Sequence, residues 1–326
     1  MVKKILKNGI PWLDTNGNII HAHGGHIVKF ASLYFWYGEN REDNIFVSCY
    51  ASKDLINWEF RGNILTTDSP VSDIGLEGNT RLINNGNKVN IERPKIIYNE
   101  KTKKYIMWAH YENGLDYSEA AIAIASCDTP DGDFIYHGFF RPFGFMSRDC
   151  NVFEFNGNMY FISASNENKD LHIYRLTDDY MGVEERVNLL FKGESREAPA
   201  LFTHNEKIYM LTSACTGWRP NKGGYSFSDS VLNEWEKIGG FGDDTTYHSQ
   251  PTAVLNLTVN GKEQHIYIGD RWGGNQWDGY NLDDFRYENS SYYFSLVEIN
   301  DKGELSLKEC DEFTIDLNGN GFEIIK

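Results

Sequence analysis

A chain of 326 residues is long enough to bury one large β-rich core or two smaller ones. Its net charge of −16, from 31 basic against 47 acidic residues, excludes the basic footprint that nucleic acid and anionic membranes require. No apolar run reaches the roughly 18 residues of a spanning helix, and 19 Tyr, 20 Phe and 8 Trp favour strands and suit a sugar-binding cleft.

The chain opens MVKKILKNGIPWLD, with two lysines but no apolar h-region and no small-residue cleavage site. The expectation is a cytoplasmic protein as given, or a secreted one whose signal segment has been removed. Five widely spaced cysteines (Cys49, Cys127, Cys150, Cys215, Cys310) show neither metal spacing nor a disulfide framework, and read mostly as buried free thiols.

The dominant signal is a degenerate repeat. A strand-like run passes through a polar turn into a second strand carrying Tyr, as in HGGHIVKFASLYFWYGE (23–39). It recurs as ERPKIIYNEKTKKYIMWAHYE (92–112), RDCNVFEFNGNMYFISAS (148–165), REAPALFTHNEKIYMLTSAC (196–215) and SQPTAVLNLTVNGKEQHIYIGDRW (249–272). Between these predicted hairpins lie further strand pairs: NIFVSCYASKDLINWEFRG (44–62), AAIAIASCDTPDGDFIYHG (120–138), LHIYRLTDDYMGV (171–183) and GGYSFSDSVLNEWEKIGG (223–240). Five units of roughly 50–70 residues, each with about four strands and no long amphipathic helix, predict an all-β, five-bladed β-propeller spanning 1–326 as one catalytic domain. A β-sandwich or jelly roll is the second choice. It accounts for the strands but not for the recurrence.

In a propeller the innermost strands begin near the axis, so the polar residues that open the hairpins converge. These openings are His23-Gly24-Gly25, Glu92-Arg93-Pro94, Arg148-Asp149, Glu197-Ala198-Pro199 and Gln250-Pro251. Carboxylates brought together raise one another's pKa, and a carboxyl kept protonated near neutrality is what glycoside cleavage needs. The plainer reading is that these groups only hydrogen-bond the backbone around the channel.

The segments WYGE, YASKDLINWEFRG, ERPKIIYN, CDTPDGDF, SRDCNVF and REAPALF make the chain resemble glycoside hydrolase family 43 over about residues 8–300. The resemblance implies that Glu197 is the general acid and that Asp149 tunes its pKa. The family's base Asp, expected in the first blade, is missing from HAHGGHIVKF. Together HAHGG, WYGE, TSACTGWRPN and HSQP resemble the exo-β-1,3-galactanase branch, in which a Gln stands in for the base, as imidic acid or by positioning water. Gln250 matches that residue. The implied activity is inverting, exo-acting hydrolysis of the β-1,3-galactan backbone of arabinogalactan, releasing galactose from a galactan or arabinogalactan oligosaccharide. The alternatives are an α-L-arabinofuranosidase or β-xylosidase of the same family, or a propeller that binds sugar without cutting it.

By the same resemblance Glu92 and Glu39 grip sugar hydroxyls, with Tyr117 and Thr216 as further contacts. Glu92 is also a candidate base, or a simple salt-bridge partner of Arg93 or Arg148. Trp218, Trp272 and Trp277 lie in Gly-rich stretches, where rings stack on galactose or fill the core beneath their loops. No cofactor is required. Related propellers hold a central calcium, which makes His248 a candidate neighbour of a structural calcium. His21, His23 and His26 have too few partners for zinc and read as hydrogen-bonding residues. DTNGN (14–18) and DLNGNG (316–321) read as turns rather than calcium loops. No G-x-S-x-G, Walker A or G-x-G-x-x-G motif is present.

Overall fold

The computed structural model describes residues 4–273 and 286–326. Each predicted hairpin forms the first two strands of an antiparallel four-stranded sheet; in sheets I to IV the segments between the hairpins supply the outer two, and in sheet V strands after the last hairpin, not singled out in the sequence, do so. Sheet I comprises His23–Phe30, Leu33–Glu39, Ile45–Ser52 and Glu59–Thr66. Sheet II comprises Asn90–Asn99, Lys104–Glu112, Ala121–Cys127 and Ile135–Phe140. Sheet III comprises Cys150–Phe155, Asn158–Ser165, Asp170–Leu176 and Val183–Leu190. Sheet IV comprises Arg196–His204, Lys207–Ala214, Gly223–Ser228 and Gly239–Phe241. Sheet V comprises Gln250–Val259, Lys262–Arg271, Ser291–Ile299 and Leu305–Leu307.

The expectation of a five-bladed propeller is corrected here, because the fold contains a sixth sheet. It is three-stranded, in the order Leu6–Lys7, Glu312–Asp316, Gly321–Ile324, and joins both ends of the chain. The repeat could not reveal it. Its strands are two to five residues long, and its first strand pairs with residues some three hundred positions away. DLNGNG is the turn between its last two strands. The hairpin Ile83–Asn84 with Asn87–Lys88 is a small addition.

Innermost strands of neighbouring sheets lie against one another, sheet I touching both II and V. Apolar residues fill each seam: one cluster joins sheets I and II, a second II and III, a third III and IV. The largest joins sheets IV, V and I to the terminal sheet. At its centre Trp12 stacks edge-on against Trp36 of sheet I at 5.9 Å and Phe294 of sheet V at 4.9 Å, and lies 5.7 Å from Phe313 of the terminal sheet. Asn8 fixes the same junction. Its amide donates to the Phe294 and Cys310 carbonyls, both at 2.8 Å, and accepts from the Phe294 N–H at 2.9 Å.

The turn between the third and fourth strands of sheet I also has a local cause. Asp54 caps the backbone N–H groups of Ile56 and Asn57, which turns the chain so that Trp58 enters the core. All five cysteines are free thiols; Cys49, Cys150 and Cys310 are buried, Cys127 is half-buried and Cys215 is exposed. Truncating Trp12 removes a ring shared by three sheets. Trp12→Ala is expected to cost about 3–5 kcal/mol, read as a lowered midpoint in urea unfolding.

Candidate active site

Four of the innermost strands carry the same irregularity. Register shifts fall between His23 and His26, Glu92 and Lys95, Glu197 and Ala200, and Pro251 and Ala253. Each bulge follows the polar residue that opens the strand, and such bulges re-aim side chains. The prolines of ERP, EAP and QP suit these points, because a bulge leaves a ladder N–H unused. Arg93 (φ 52°) and Ala198 (φ 55°) adopt the left-handed conformation there. In sheet I the same role falls to Gly24 (φ 60°), where a Cβ would collide with the Glu39 carboxylate. The stretch that lacks the family's base acid is therefore glycine for a steric reason.

Glu197, Asp149 and Gln250 come together around Arg93. The buried guanidinium pairs with Asp149 (Nε to Oδ2 3.0 Å), donates to the Gln250 Oε1 at 2.5 Å and donates to the Pro251 carbonyl at 3.0 Å. Trp272 Nε1 donates to the same amide oxygen at 2.9 Å. The Gln250 Nε2 donates to Glu197 Oε1 at 3.1 Å and to Ser213 Oγ at 3.0 Å. Two obligate donors on the oxygen fix which end of the amide is which. Asn168 donates to the other Glu197 oxygen at 3.2 Å, and the Ala198 N–H donates to Asp149 at 3.1 Å.

Burial, reinforced by the negative charge of Asp149, pushes the Glu197 carboxyl up to about 7, against the opposing pull of Arg93. A second acidic group adjoins this one. Arg41 donates to Glu39 Oε2 at 2.7 Å and to Glu92 Oε1 at 3.0 Å, and the Arg93 N–H donates to Glu39 Oε1 at 3.0 Å. The Tyr117 hydroxyl donates to Glu92 at 2.7 Å, and His110 Nδ1 lies 3.2 Å from it. Burial would raise the Glu92 carboxyl, but Arg41, His110 and Tyr117 hold it below the usual carboxylate range. Burial raises Glu39. His110 loses its proton only near 9, because bonds to Glu112 and Glu92 outweigh its burial.

The salt-bridge partner of Glu92 is thus Arg41, while Arg93 serves Asp149. Arg41 and His110 were not singled out in the sequence. The register could have found His110, which pairs directly with Glu92, as Ser213 pairs with Glu197.

The other candidates are placed as follows. Tyr117 is 44% exposed at the mouth. Thr216 is exposed but engaged within its own turn, donating to the Arg219 carbonyl and accepting from Asn221. Trp218 is half-buried, edge-on to Trp272 at 5.2 Å, with the Arg41 guanidinium 5.5 Å above its ring. Trp272 is buried, and its indole N–H is committed to Gln250. Trp277 lies outside the described residues.

His248 borders a small recess with Gln250, Asp270 and Trp272, and its buried Nδ1 has no hydrogen-bond partner among the described residues. Both Asp270 oxygens are used, by His23 Nδ1 at 2.8 Å and the Gly24 N–H at 2.7 Å. That donor set does not make the oxygen cage calcium takes. Among the innermost strands a buried ammonium is already present: Lys95 Nζ donates to the Gly24 carbonyl at 2.6 Å. His21, His23 and His26 do not converge. His21 faces Glu42, His23 bonds Asp270, and His26 accepts the Ile96 N–H.

The raised Glu197 pKa sets a stability signature. Its folded value lies above the ordinary 4.5, so folding retains a proton that the unfolded chain releases between these values. The contribution is complete below about pH 4.5 and is lost as pH rises through about 7. Glu197→Gln removes this loss. Relative to wild type it is expected to gain stability from pH 4.5 to 8, by up to about 3 kcal/mol. Urea unfolding at the two pH values checks this.

Comparison with known proteins gives this geometry its context. The profile of glycosyl hydrolases family 43 matches residues 23–240. No curated protein matches the chain. Among solved structures, an exo-β-1,3-galactanase from Clostridium thermocellum is similar at 40% identity, covering 98% of this chain and 68% of that one, with a TM-score of 0.87. An exo-β-1,3-galactanase variant from Phanerochaete chrysosporium, solved with β-1,3-galactotriose, is 28% identical over 99% of this chain and 71% of its own, with a TM-score of 0.84. A family 43 β-1,3-galactosidase solved with galactodeoxynojirimycin is 30% identical over 94% of this chain and 99% of its own, with a TM-score of 0.80. With a profile match over most of its length and a solved relative at 40% identity across 98% of the chain, the chain belongs to glycosyl hydrolases family 43, in its exo-β-1,3-galactanase branch, and is a glycoside hydrolase.

Proposed function

We propose that the protein acts as one catalytic unit, an inverting exo-β-1,3-galactanase that releases galactose from the β-1,3-galactan backbone of arabinogalactan. The observation that carries the assignment of roles is the Glu197 carboxyl, protonated up to about pH 7 and hydrogen-bonded to Gln250. Glu197 protonates the glycosidic oxygen. Asp149 keeps its pKa raised before transfer. Asn168 and the Gln250 N–H then stabilise the carboxylate left behind.

Gln250 positions the attacking water by releasing one of its four bonds, to Ser213 or Glu197, when substrate enters, rather than taking the water's proton as the imidic acid. That tautomer carries O–H, and this oxygen already faces the donors of Arg93 and Trp272. Glu92, Glu39 and Tyr117, organised by Arg41, bind sugar hydroxyls, and the Trp218 ring offers an apolar face to galactose. Thr216 lies beside this platform. Trp272 contributes through Gln250. The chemistry uses side chains alone.

Inversion at a β-linked anomeric carbon yields the α-anomer first. Proton NMR of β-1,3-galactan digestion is expected to show α-galactose before mutarotation. Glu197→Gln should lose at least about 100-fold in kcat, the low end for a general acid. If Gln250→Ala keeps most of its rate, Gln250 only binds, and Glu92 is the next base to test. Cleavage of aryl arabinosides or xylosides without release of galactose would overturn the galactanase reading, and binding without turnover would leave a lectin-like propeller. For wild type, kcat/KM is expected to fall above pH about 7, as Glu197 of the free enzyme loses its proton.

A further inference from the structure

A second cluster lies at the far end of the same strands. His204 closes the innermost strand of sheet IV, and Glu263 and His265 lie on the second strand of sheet V. Residues two apart on a strand share a face, so Glu263 and His265 both turn toward His204. His204 Nδ1 is 2.9 Å from His265 Nε2 and 3.6 Å from Glu263 Oε2, and His265 Nε2 is 3.9 Å from that oxygen. Four-coordinate zinc, with bonds of about 2.0–2.2 Å, spaces its ligand atoms about 3.3–3.5 Å apart. The three atoms already form nearly that triangle.

The surrounding groups prepare both imidazoles. His265 Nδ1 lies 2.9 Å from Asn256 Oδ1, an acceptor, so Nδ1 carries the hydrogen and Nε2 turns its lone pair to the cluster. Asn205 Nδ2 lies 3.1 Å from His204 Nε2, and His204 Nδ1 then donates to His265 Nε2. A half-turn of this exposed amide brings its oxygen to His204 Nε2 and frees Nδ1 for a cation in the same way. His265 is buried and Glu263 exposed, and His204 and Glu263 border two wide surface clefts, so solvent reaches the fourth position.

We infer that His204, Glu263 and His265 form a binding site for one zinc-class divalent cation, which clips sheet IV to sheet V. Two imidazoles and one carboxylate select zinc over calcium, which prefers oxygen alone. His204 lies seven positions beyond Glu197 on a strand that is extended after its bulge, at most about 23 Å away at the usual rise. The site is therefore structural rather than catalytic. The cation tethers the distal end of the strand that carries Glu197 to the second strand of sheet V, which pairs with the strand opened by Gln250.

Untagged protein, stripped with chelator, is titrated with zinc by calorimetry and with cobalt by visible absorption. The expected result is one ion per chain, a cobalt spectrum of four-coordinate type, and a melting temperature raised by zinc but not by calcium. His204→Ala and the isosteric Glu263→Gln should each weaken zinc binding about tenfold or more and abolish the thermal shift. Galactan hydrolysis by the metal-free variants should match that of metal-free wild type. The inference is overturned if wild type binds no zinc saturably, if both folded variants bind it as wild type does, or if calcium alone raises the melting temperature.

Discussion

Arg93 is the point on which the site depends. Its guanidinium is buried near the axis and reaches Asp149, Gln250 and the Pro251 carbonyl, while its own N–H holds Glu39. A planar fork can serve such diverging acceptors at once; a lysine ammonium is a compact point charge and cannot. Removing the charge would leave Asp149 unpaired, and a buried charge that loses its partner is strongly destabilising. The left-handed backbone at Arg93 is the cost of pointing the side chain inward from a bulge.

This arrangement explains why an amide occupies position 250. A carboxylate there would add a second negative charge beside Asp149, and a third once Glu197 gives up its proton, and would have no hydrogen to donate to Glu197. The amide does two jobs at once, of which a carboxylate could do only the first. Its oxygen accepts from Arg93 and Trp272, and its nitrogen donates to Glu197 and Ser213. Glu197 therefore feels Asp149 as its main opposing charge, with Arg93 restraining the rise. Glu92, bound by Arg41, Tyr117 and His110, is driven the opposite way and stays anionic. Two carboxyl groups in one cleft thus reach opposite protonation states through their neighbours alone.

The terminal sheet plays a comparable part for the fold. Neighbouring sheets pack through separate apolar clusters, but the seam around Trp12 also takes in the two ends of the chain. Asn8 satisfies backbone groups of Phe294 and Cys310 across that seam, where an unpaired carbonyl or N–H would be costly.

The repeat alone carried the all-β class, the hairpins and the outer strands of the first four sheets, because alternation and turn chemistry act within a few residues. The openings ERP, SRD, REAP and SQP were legible as convergent for the same reason: they recur at one point of each unit. The sixth sheet was not legible, since pairing Leu6 with Phe313 leaves no local trace. Arg41 and His110 were hidden likewise, because their roles come from cross-strand register and from a loop folded over Glu92. Trp272 shows the limit most plainly. Its Gly-rich surroundings left a stacking ring and a core ring both open, and it is buried with its N–H on Gln250. The sequence by itself determined which residues could meet at the axis. Only the tertiary structure decided which carboxyl keeps its proton, because a pKa is set by burial and by charges that other strands bring within a few ångströms.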